Sequence, residues 1–202
     1  MVRLALNKAS LNREQRMLRT FERFLPSLDL KRRRLMAERA RAASALESTR
    51  EEIEAITVNL GQSLPMLANR DVTLGGMVSI ESFDLAEENI VGTRLPVLQS
   101  TTVAIDRYPL MAKPHWVDGA VEEIRKVLEL STSERVAVKR LELLDAAVRV
   151  ITQRVNLFDK VLIPRARRNI KRIRIYLSDS ERAGVVTSKI AKEKRARQAK
   201  AS

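Results

Sequence analysis

The chain has 202 residues, of which 31% are charged and only 3% aromatic, and it contains six glycines, six prolines and no cysteine. This composition is typical of long helices and disfavours extended sheets and enzyme-like α/β cores, and the lack of cysteine excludes disulfides and thiolate metal sites. The net charge of +13 favours an acidic or polyanionic partner.

Motifs for catalytic chemistry are missing from the sequence. The single histidine and the lack of cysteine leave a metal centre without its usual ligands. Neither a P-loop nor a dinucleotide-binding glycine pattern occurs. No apolar run approaches the roughly 20 residues that span a bilayer, and no signal-peptide pattern opens the chain. We therefore expect a cytoplasmic protein that is not an enzyme and holds no cofactor and no metal.

The charge is unevenly distributed along the chain. Residues 1–50 carry 13 basic and 5 acidic side chains, a balance of +8. Residues 51–164 carry 12 basic and 17 acidic side chains, a balance of −5, and residues 165–202 carry 13 and 3, a balance of +10. Both ends of the chain are therefore strongly basic, and its middle is acidic.

The N-terminal part of the chain carries a long apolar stripe. Its apolar residues recur in one heptad register, the spacing that keeps one helix face against a partner helix. This predicts a helix over residues 7–67, with Asn7 or Ser10 as its N-cap and a bend at Pro26. Its apolar stripe, from Leu11 to Leu67, would be about 85 Å long. The seam positions assigned to this helix are Leu25, Leu46, Ile53 and Leu60.

Residues 68–116 interrupt the helical pattern. Gly75-Gly76 punctuates the chain, and the runs Met77–Ile80 and Ile90–Leu98 predict short strands. The second run is rich in β-branched residues and contains a proline, which indicates an edge strand or part of a hairpin. We expect a small strand-containing insert between two long helices.

A second apolar stripe follows and predicts a helix over residues 117–198. A capping-box pattern at Ser131–Glu134 is an alternative helix start, but the apolar register continues through it and favours one continuous helix. The stripe slips after Leu162, close to Pro164, which lacks a backbone donor. The seam positions assigned to this helix are Leu141, Leu144, Val148, Ile151, Val155, Phe158 and Leu162.

Two stripes of this length predict a mainly α fold: a long antiparallel coiled coil of the N- and C-terminal helices, with the small hairpin-containing segment at one end. We expect a single elongated domain over residues 1–202, and a compact helical bundle is the alternative. With apolar positions opposite each other, Leu46 lies near Phe158 and Ile53 near Ile151. Antiparallel pairing also joins the two basic ends, with a combined charge of +18.

One stretch of the sequence is more specific than the stripes. Residues 153–165 resemble the RVN…IPR stretch of the D subunit of the V/A-type rotary ATPases. Residues 88–96 are similar to the strand motif that precedes the second helix in that family. The resemblance covers nearly the whole chain in the same order. The matching positions of the RVN…IPR motif are Arg154, Val155, Asn156, Ile163, Pro164 and Arg165.

The resemblance implies the central-stalk rotor shaft of a V-type ATPase or ATP synthase that moves protons or sodium ions. Such a protein transmits torque between the membrane rotor ring and the catalytic hexamer, binds no nucleotide, and reaches the membrane only through its complex. The implied partners are the catalytic and non-catalytic head subunits, the small central-stalk subunit and the rotor-collar subunit, and no nucleic acid. The basic residues expected to face the hexamer are Arg13, Arg16, Arg182, Lys189, Lys192, Lys194 and Arg195.

Two other classes of protein share parts of this pattern. A coiled coil that binds nucleic acid would account for the basic ends, and it would bind random DNA in a salt-dependent way. A self-associating coiled-coil scaffold would account for the seams, and its mass in solution would depend on concentration. The nucleic-acid-binding alternative does not account for the strand insert or for the RVN…IPR stretch.

Overall fold

The computed structural model of the chain describes residues 4–63, 76–106, 114 and 116–201. In chain order they form helix α1 (Lys8–Ser63), strands β1 (Val78–Ile90) and β2 (Thr93–Ile105), helix α2 (Trp116–Asn156), a π-helical segment (Leu157–Leu162) and helix α3 (Ile163–Ala201). The fold is mainly α, with one antiparallel two-stranded hairpin between long helices, so the predicted fold class is confirmed.

Helix α1 begins where a side chain satisfies one of its first amides. The Ser10 amide donates a 2.7 Å hydrogen bond to Oδ1 of Asn7, so Asn7 is the N-cap and Ser10 lies in the first turn. Pro26 lies inside the helix, which continues through it. The predicted end of this helix, residues 64–67, lies outside the described residues, as do residues 68–75 of the predicted insert.

The hairpin joins two strands of 13 residues each. Its turn is Val91-Gly92, with φ angles of 53° and 81°, and positive φ at both central residues is the type I′ geometry that matches strand twist. The Gly92 amide donates to Oδ1 of Asn89 at 2.8 Å, which stabilises this turn. The predicted strand Ile90–Leu98 is therefore wrong at its start, because a β-branched residue rarely adopts positive φ and the turn was not foreseen.

Helix α2 runs without a break from Trp116 to Asn156. The capping-box residues Ser131–Glu134 lie inside it, and the buried Thr132 hydroxyl donates to the Leu128 carbonyl at 2.8 Å instead of capping a new helix. The continuous helix predicted at this point is confirmed. Near its start, Val117 and Val121 pack with Met77 of the hairpin base, and Trp116 covers this cluster.

The π segment lies directly before Pro164. Because proline has no amide hydrogen, it cannot donate to the carbonyl four residues earlier, and the Ile163 amide bonds the carbonyl of Phe158, five residues earlier. The buried stripe steps from Val155 to Ile163, which is one heptad plus one residue. The predicted slip of the stripe thus takes the form of one inserted residue, and Leu162 is half-buried beside the buried Ile163.

The chain divides into two compact units. We call residues 1–30 and 151–202 the terminal unit, and residues 31–150 the central unit. The buried apolar residues of α3 and the end of α2 form the core of the terminal unit, and Leu35, Leu95 and Leu144 are the largest fully buried side chains of the central unit. The expectation of a single elongated domain stays a prediction.

Helices pair antiparallel inside each unit. In the terminal unit, the rings of Phe21 and Phe158 meet edge-to-face with centroids 5.4 Å apart. In the central unit, Arg39 donates to Asp145 and Arg50 donates to Glu134, the latter at 2.7 Å, so the later α1 residue meets the earlier α2 residue. Phe158 was predicted to face Leu46, but it contacts Phe21. Arg50 contacts Glu134, which lies 17 residues before Ile151, the predicted partner of the nearby Ile53. The predicted pairings of Leu46 with Phe158 and of Ile53 with Ile151 are therefore wrong.

The error in the pairing has a simple physical origin. A heptad pattern repeats every seven residues, so apolar residues still face apolar residues after a shift by whole heptads. The predicted register places Asn169 opposite Leu35, yet Asn169 bonds Glu14, which lies 21 residues earlier, or three heptads. The apolar stripes alone do not distinguish these two registers.

One arginine holds the hairpin onto α2. The Arg140 guanidinium donates to the Glu88 carboxylate at 2.6 Å and to the Pro96 carbonyl at 3.4 Å, and its side chain is only 22% exposed. Leu95, the cross-strand partner of Glu88, is fully buried. This contact joins residues 52 positions apart and fixes the turn end of the hairpin against the helix.

The register is testable by crosslinking, because the natural chain has no cysteine. In the double variant Arg50→Cys/Glu134→Cys, a short bis-maleimide should join the two positions within one chain. Position 151 lies 17 residues beyond 134, about 25 Å along α2, so Ile53→Cys/Ile151→Cys should not be joined. Mass spectrometry of the digested products reads out both pairs. Joining of the second pair and not the first would contradict the register.

Pro164→Ala should stabilise the chain by less than the roughly 3 kcal/mol of an ordinary helix-interior proline. The π segment already supplies an alternative hydrogen-bond pattern, so the restored amide adds only part of that amount. Thermal unfolding of the full chain measures the change. A lower melting temperature would instead show that the fold requires the proline at the end of the π segment.

Arg140→Ala should cost about 1 kcal/mol of stability, because it removes an ion pair with the half-exposed Glu88 and the packing of a side chain that is only 22% exposed. The neighbouring Lys139 makes an exposed contact with Glu142 on the same helix at 3.0 Å. Lys139→Ala should therefore change stability by no more than about 0.5 kcal/mol. Urea unfolding of the two variants side by side provides the measurement, and equal losses would mean that Arg140 does not hold the hairpin.

Candidate functional surfaces

The terminal unit contains the described polar pairs that link α1 to α3. Glu14, only 6% exposed, accepts a 3.3 Å hydrogen bond from Nδ2 of Asn169. Arg167 donates to Glu22 at 2.7 Å on the exposed surface. A buried carboxylate without a hydrogen-bond donor is costly, so the Glu14–Asn169 pair selects one alignment of these helices.

The basic residues predicted to face a partner lie in two separate groups. Arg13 and Arg16 are exposed on α1, on either side of the buried Glu14. Since Glu14 contacts Asn169, both arginines lie beside the first half of α3. The other predicted residues lie 13 to 26 positions beyond Asn169 and are all exposed: Arg182, Lys189, Lys192, Lys194 and Arg195.

The second half of α3 has no helix packed over it among the described residues. Every described side chain from position 178 to 198 is exposed, although the segment is helical. Large apolar side chains are exposed here among the basic ones, at Val185, Val186 and Ile190. We call residues 178–198 the α3 extension. It exposes both positively charged and apolar side chains.

A third basic cluster was missed by the sequence analysis. Arg19, Arg167, Lys171 and Arg174 line an open cavity of about 510 Å³ between α1 and α3, with Glu22 among them. Its signal in the sequence is the stretch from 165 to 174, in which six of ten residues are basic. This cavity lies beside the two-helix part of the terminal unit, before the α3 extension begins.

The predicted seam positions lie on the inner faces of the helices. Leu46, Leu144, Ile151 and Val155 are buried. The remaining seven are half-buried, and none of the eleven is exposed: Leu25, Ile53, Leu60, Leu141, Val148, Phe158 and Leu162.

The RVN…IPR motif spans the π segment. Arg154 and Asn156 are exposed before it, Ile163 is buried and Pro164 half-buried after it, and Arg165 is exposed. Arg165 also lines a small cavity of about 240 Å³ together with Glu14, Phe21 and Asn169. The motif therefore coincides with the place where the helix changes its hydrogen-bond pattern, and its last residue lines the same cavity as the polar pair of the terminal unit.

One ion pair on α2 contains a lysine, Lys126, whose pKa is raised further above neutral pH. Glu123 accepts a 2.8 Å hydrogen bond from Nζ of Lys126, and this bond together with its negative charge raises the pKa of Lys126 above the ordinary 10.5. Because folding raises this pKa, the stability that the pair contributes is fully present below the ordinary pKa of lysine. It is lost as the pH rises through the pKa of Lys126 in the folded state. The surface of α2 here keeps its charge near neutral pH.

Residues suited to chemistry do not cluster in the described part of the chain. No group of three or more histidine and acidic residues there is arranged to hold a metal ion. No described helix is both long and apolar enough to cross a bilayer. The single histidine, His115, lies outside the described residues. The features that the described residues offer for function are charged and apolar surfaces.

Comparison with known proteins gives a consistent result. A family model described as the ATP synthase D subunit matches residues 10–193. A protein of Borreliella burgdorferi is 31% identical over 192 residues, which are 95% of each chain. Relatives from Chlamydia muridarum, 31% identical over 95% of each chain, and from Chlamydia abortus, 32% identical over 94% of this chain and 92% of its own, match over similar lengths.

All three relatives are named as the D subunit of a V-type ATP synthase. The matched region contains α1 from its first turn, the hairpin, α2, the π segment and most of α3. Because the family model and the relatives each cover nearly the whole length, the chain belongs to the family of ATP synthase D subunits.

Proposed function

We propose that this chain is the central rotor shaft of a V/A-type ATPase or ATP synthase that translocates protons or sodium ions. It carries torque between the membrane rotor ring and the catalytic hexamer and has no catalytic or nucleotide site of its own. The observation that carries this proposal is the α3 extension, a helix whose described side chains from 178 to 198 are all exposed beyond an antiparallel two-helix stem. Because its side chains are exposed on all sides, this helix can contact a protein bore that surrounds it.

The terminal unit is the part that enters the hexamer in this proposal. Residues 165–202 carry 13 basic and 3 acidic side chains, so the inserted end attracts acidic loops from every direction. Attraction of this kind does not depend on fixed contacts, since exposed ion pairs contribute only about 0–1 kcal/mol each. A shaft can therefore rotate against the bore without breaking a strong bond at each step.

The central unit serves the partners that rotate with the shaft. We place the small central-stalk subunit and the rotor-collar subunit there, because the acidic middle of the chain and its hairpin differ in charge from both ends. The protein would lie on the cytoplasmic side and reach the membrane only through these partners. Nucleic acid and cofactors have no part in this function.

Two variants test the diffuse nature of the inserted end. Lys189→Ala removes one exposed charge and should leave coupled ATP turnover nearly unchanged. Deletion of residues 188–202 removes many charges and the exposed Ile190, and should weaken assembly or coupling. The loss should be larger at high salt, because the remaining charges are then screened. Turnover and assembly are measured in the reconstituted complex at two salt concentrations.

The results separate this function from its rivals. Loss of turnover by Lys189→Ala alone would show a defined contact in place of the diffuse one. If the deletion left the complex unaffected but abolished salt-dependent binding of random DNA by the free protein, the shaft assignment would be abandoned. Failure of the wild-type chain to copurify with any ATPase head subunit would also end it.

A further inference from the structure

Strand β1 carries a row of exposed apolar side chains. Ile80 is 39%, Phe83 53% and Leu85 51% exposed. Isolated apolar residues on a surface are ordinary, but a contiguous row marks a place where another molecule binds. We call these three residues the β1 row.

The hairpin geometry places the β1 row on one face. Phe83 and Leu85 are two residues apart, so they point to the same side of the strand. Ile80 would point the other way in a regular strand, but the register shift between Ile80 and Ser82 inserts one residue and returns it to the face of Phe83. The opposite face of β1 is polar and exposed there, with Ser82 and Asp84.

On this face of the hairpin, the β2 side chains are half-buried and the β1 side chains are exposed. The cross-strand partners of the row are Leu98, Thr101 and Val103, and all three are half-buried. Leu98 and Thr101 border an open cavity whose other wall includes Ile56 of α1 and Leu130 of α2. The helices thus shelter the β2 half of an apolar face, and among the described residues nothing shelters its β1 half to the same degree.

Acidic residues flank the β1 row. Glu81 occupies the inserted position between Ile80 and Ser82, and Glu87 follows Leu85 on the same face. The hairpin from 78 to 105 contains four acidic residues and one basic residue, Arg94, in a chain whose net charge is +13. An apolar centre with a negative rim is complementary to an apolar centre with a positive rim.

These charges also argue against a second copy of this chain as the occupant. Two copies that met through this face would bring their carboxylates together, and like charges across an interface are unfavourable. The inserted residue at Glu81 further interrupts the strand edge and discourages edge-to-edge pairing. The charges of this face therefore favour a different protein as its binding partner.

We propose that the β1 row is the docking surface for another rotor subunit of the same complex, one that presents an apolar patch rimmed by lysine or arginine. This proposal rests on the proposed shaft function. Phe83 and Leu85 are its central contacts, because large side chains at the middle of an interface contribute most of the binding energy. Glu81 and Glu87 orient the partner and speed its association.

The first experiment replaces Phe83 with a photo-crosslinking phenylalanine derivative in the assembled complex. Mass spectrometry should find it joined to a non-head subunit, next to lysine or arginine residues. Crosslinks to this chain itself, to head subunits only, or to nothing would overturn the docking surface. Copurification of the head subunits with wild-type chain, scored in parallel, tests the shaft function separately.

The second experiment compares matched variants. Phe83→Ser/Leu85→Ser should weaken binding of the crosslinked protein about tenfold or more, while the free chain keeps its melting temperature because both side chains are already exposed. Val58→Ser removes a similarly exposed apolar residue, 51% exposed on α1 of the same unit, and should leave binding unchanged. A lower melting temperature of the double variant, or equal binding of both variants, would overturn the proposal.

A charge variant completes the test. Glu81→Gln/Glu87→Gln should slow association severalfold at low salt and flatten its dependence on salt, with little change in the dissociation rate. Faster association, or an unchanged salt dependence, would contradict a basic rim on the partner.

Discussion

The antiparallel alignment of the helices is the constraint on which the rest of this structure depends, and polar side chains set it. Two heptad stripes attract each other equally well after a shift of seven, fourteen or twenty-one residues. The buried Glu14 finds its donor, Asn169, in one alignment only. Any other alignment leaves a buried carboxylate against apolar side chains, a penalty of several kcal/mol. In the central unit, Arg50 and Glu134 add an ionic contact with the same antiparallel sense. Apolar burial drives the helices together, and a few polar groups decide where.

The π segment changes which face of the helix is buried after it. A strict heptad after Val155 would bury Leu162, but Leu162 is half-buried and the buried residue is Ile163. One inserted residue rotates the following helix by about 100° relative to a regular continuation, and this turns Ile163, Ala166 and Ile170 inward. Pro164 makes the insertion inexpensive, because the hydrogen bond that a π segment gives up is one that proline cannot form.

The sequence predicted what repeats locally and missed what depends on distant pairs. Heptad spacing identified both helices and the continuous path through Ser131–Glu134. It did not give the alignment, because the pattern is periodic, and it gave no sign of the Arg140 contact between residues far apart in the chain. The turn was missed because valine at position 91 adopts a positive φ that it normally avoids. Since β1 was predicted to end at Ile80, the β1 row was also missed, although each of its residues is apolar.

The two proposed interfaces, the β1 row and the α3 extension, depend on different kinds of interaction. This difference fits the motion that the proposed shaft function requires. A partner that rotates with the shaft must hold one orientation, which needs short-range contacts between matched shapes; the β1 row and its flanking carboxylates offer such a surface. A bore in which the shaft turns must not hold one orientation, since each strong contact would have to break in every revolution. Long-range charge attraction varies little with rotation, and the α3 extension presents mainly that, on a helix exposed on every side. In the proposed function, the segregation of charge along the chain, basic at both ends and acidic in the middle, suits one protein that binds one partner firmly and rotates inside another.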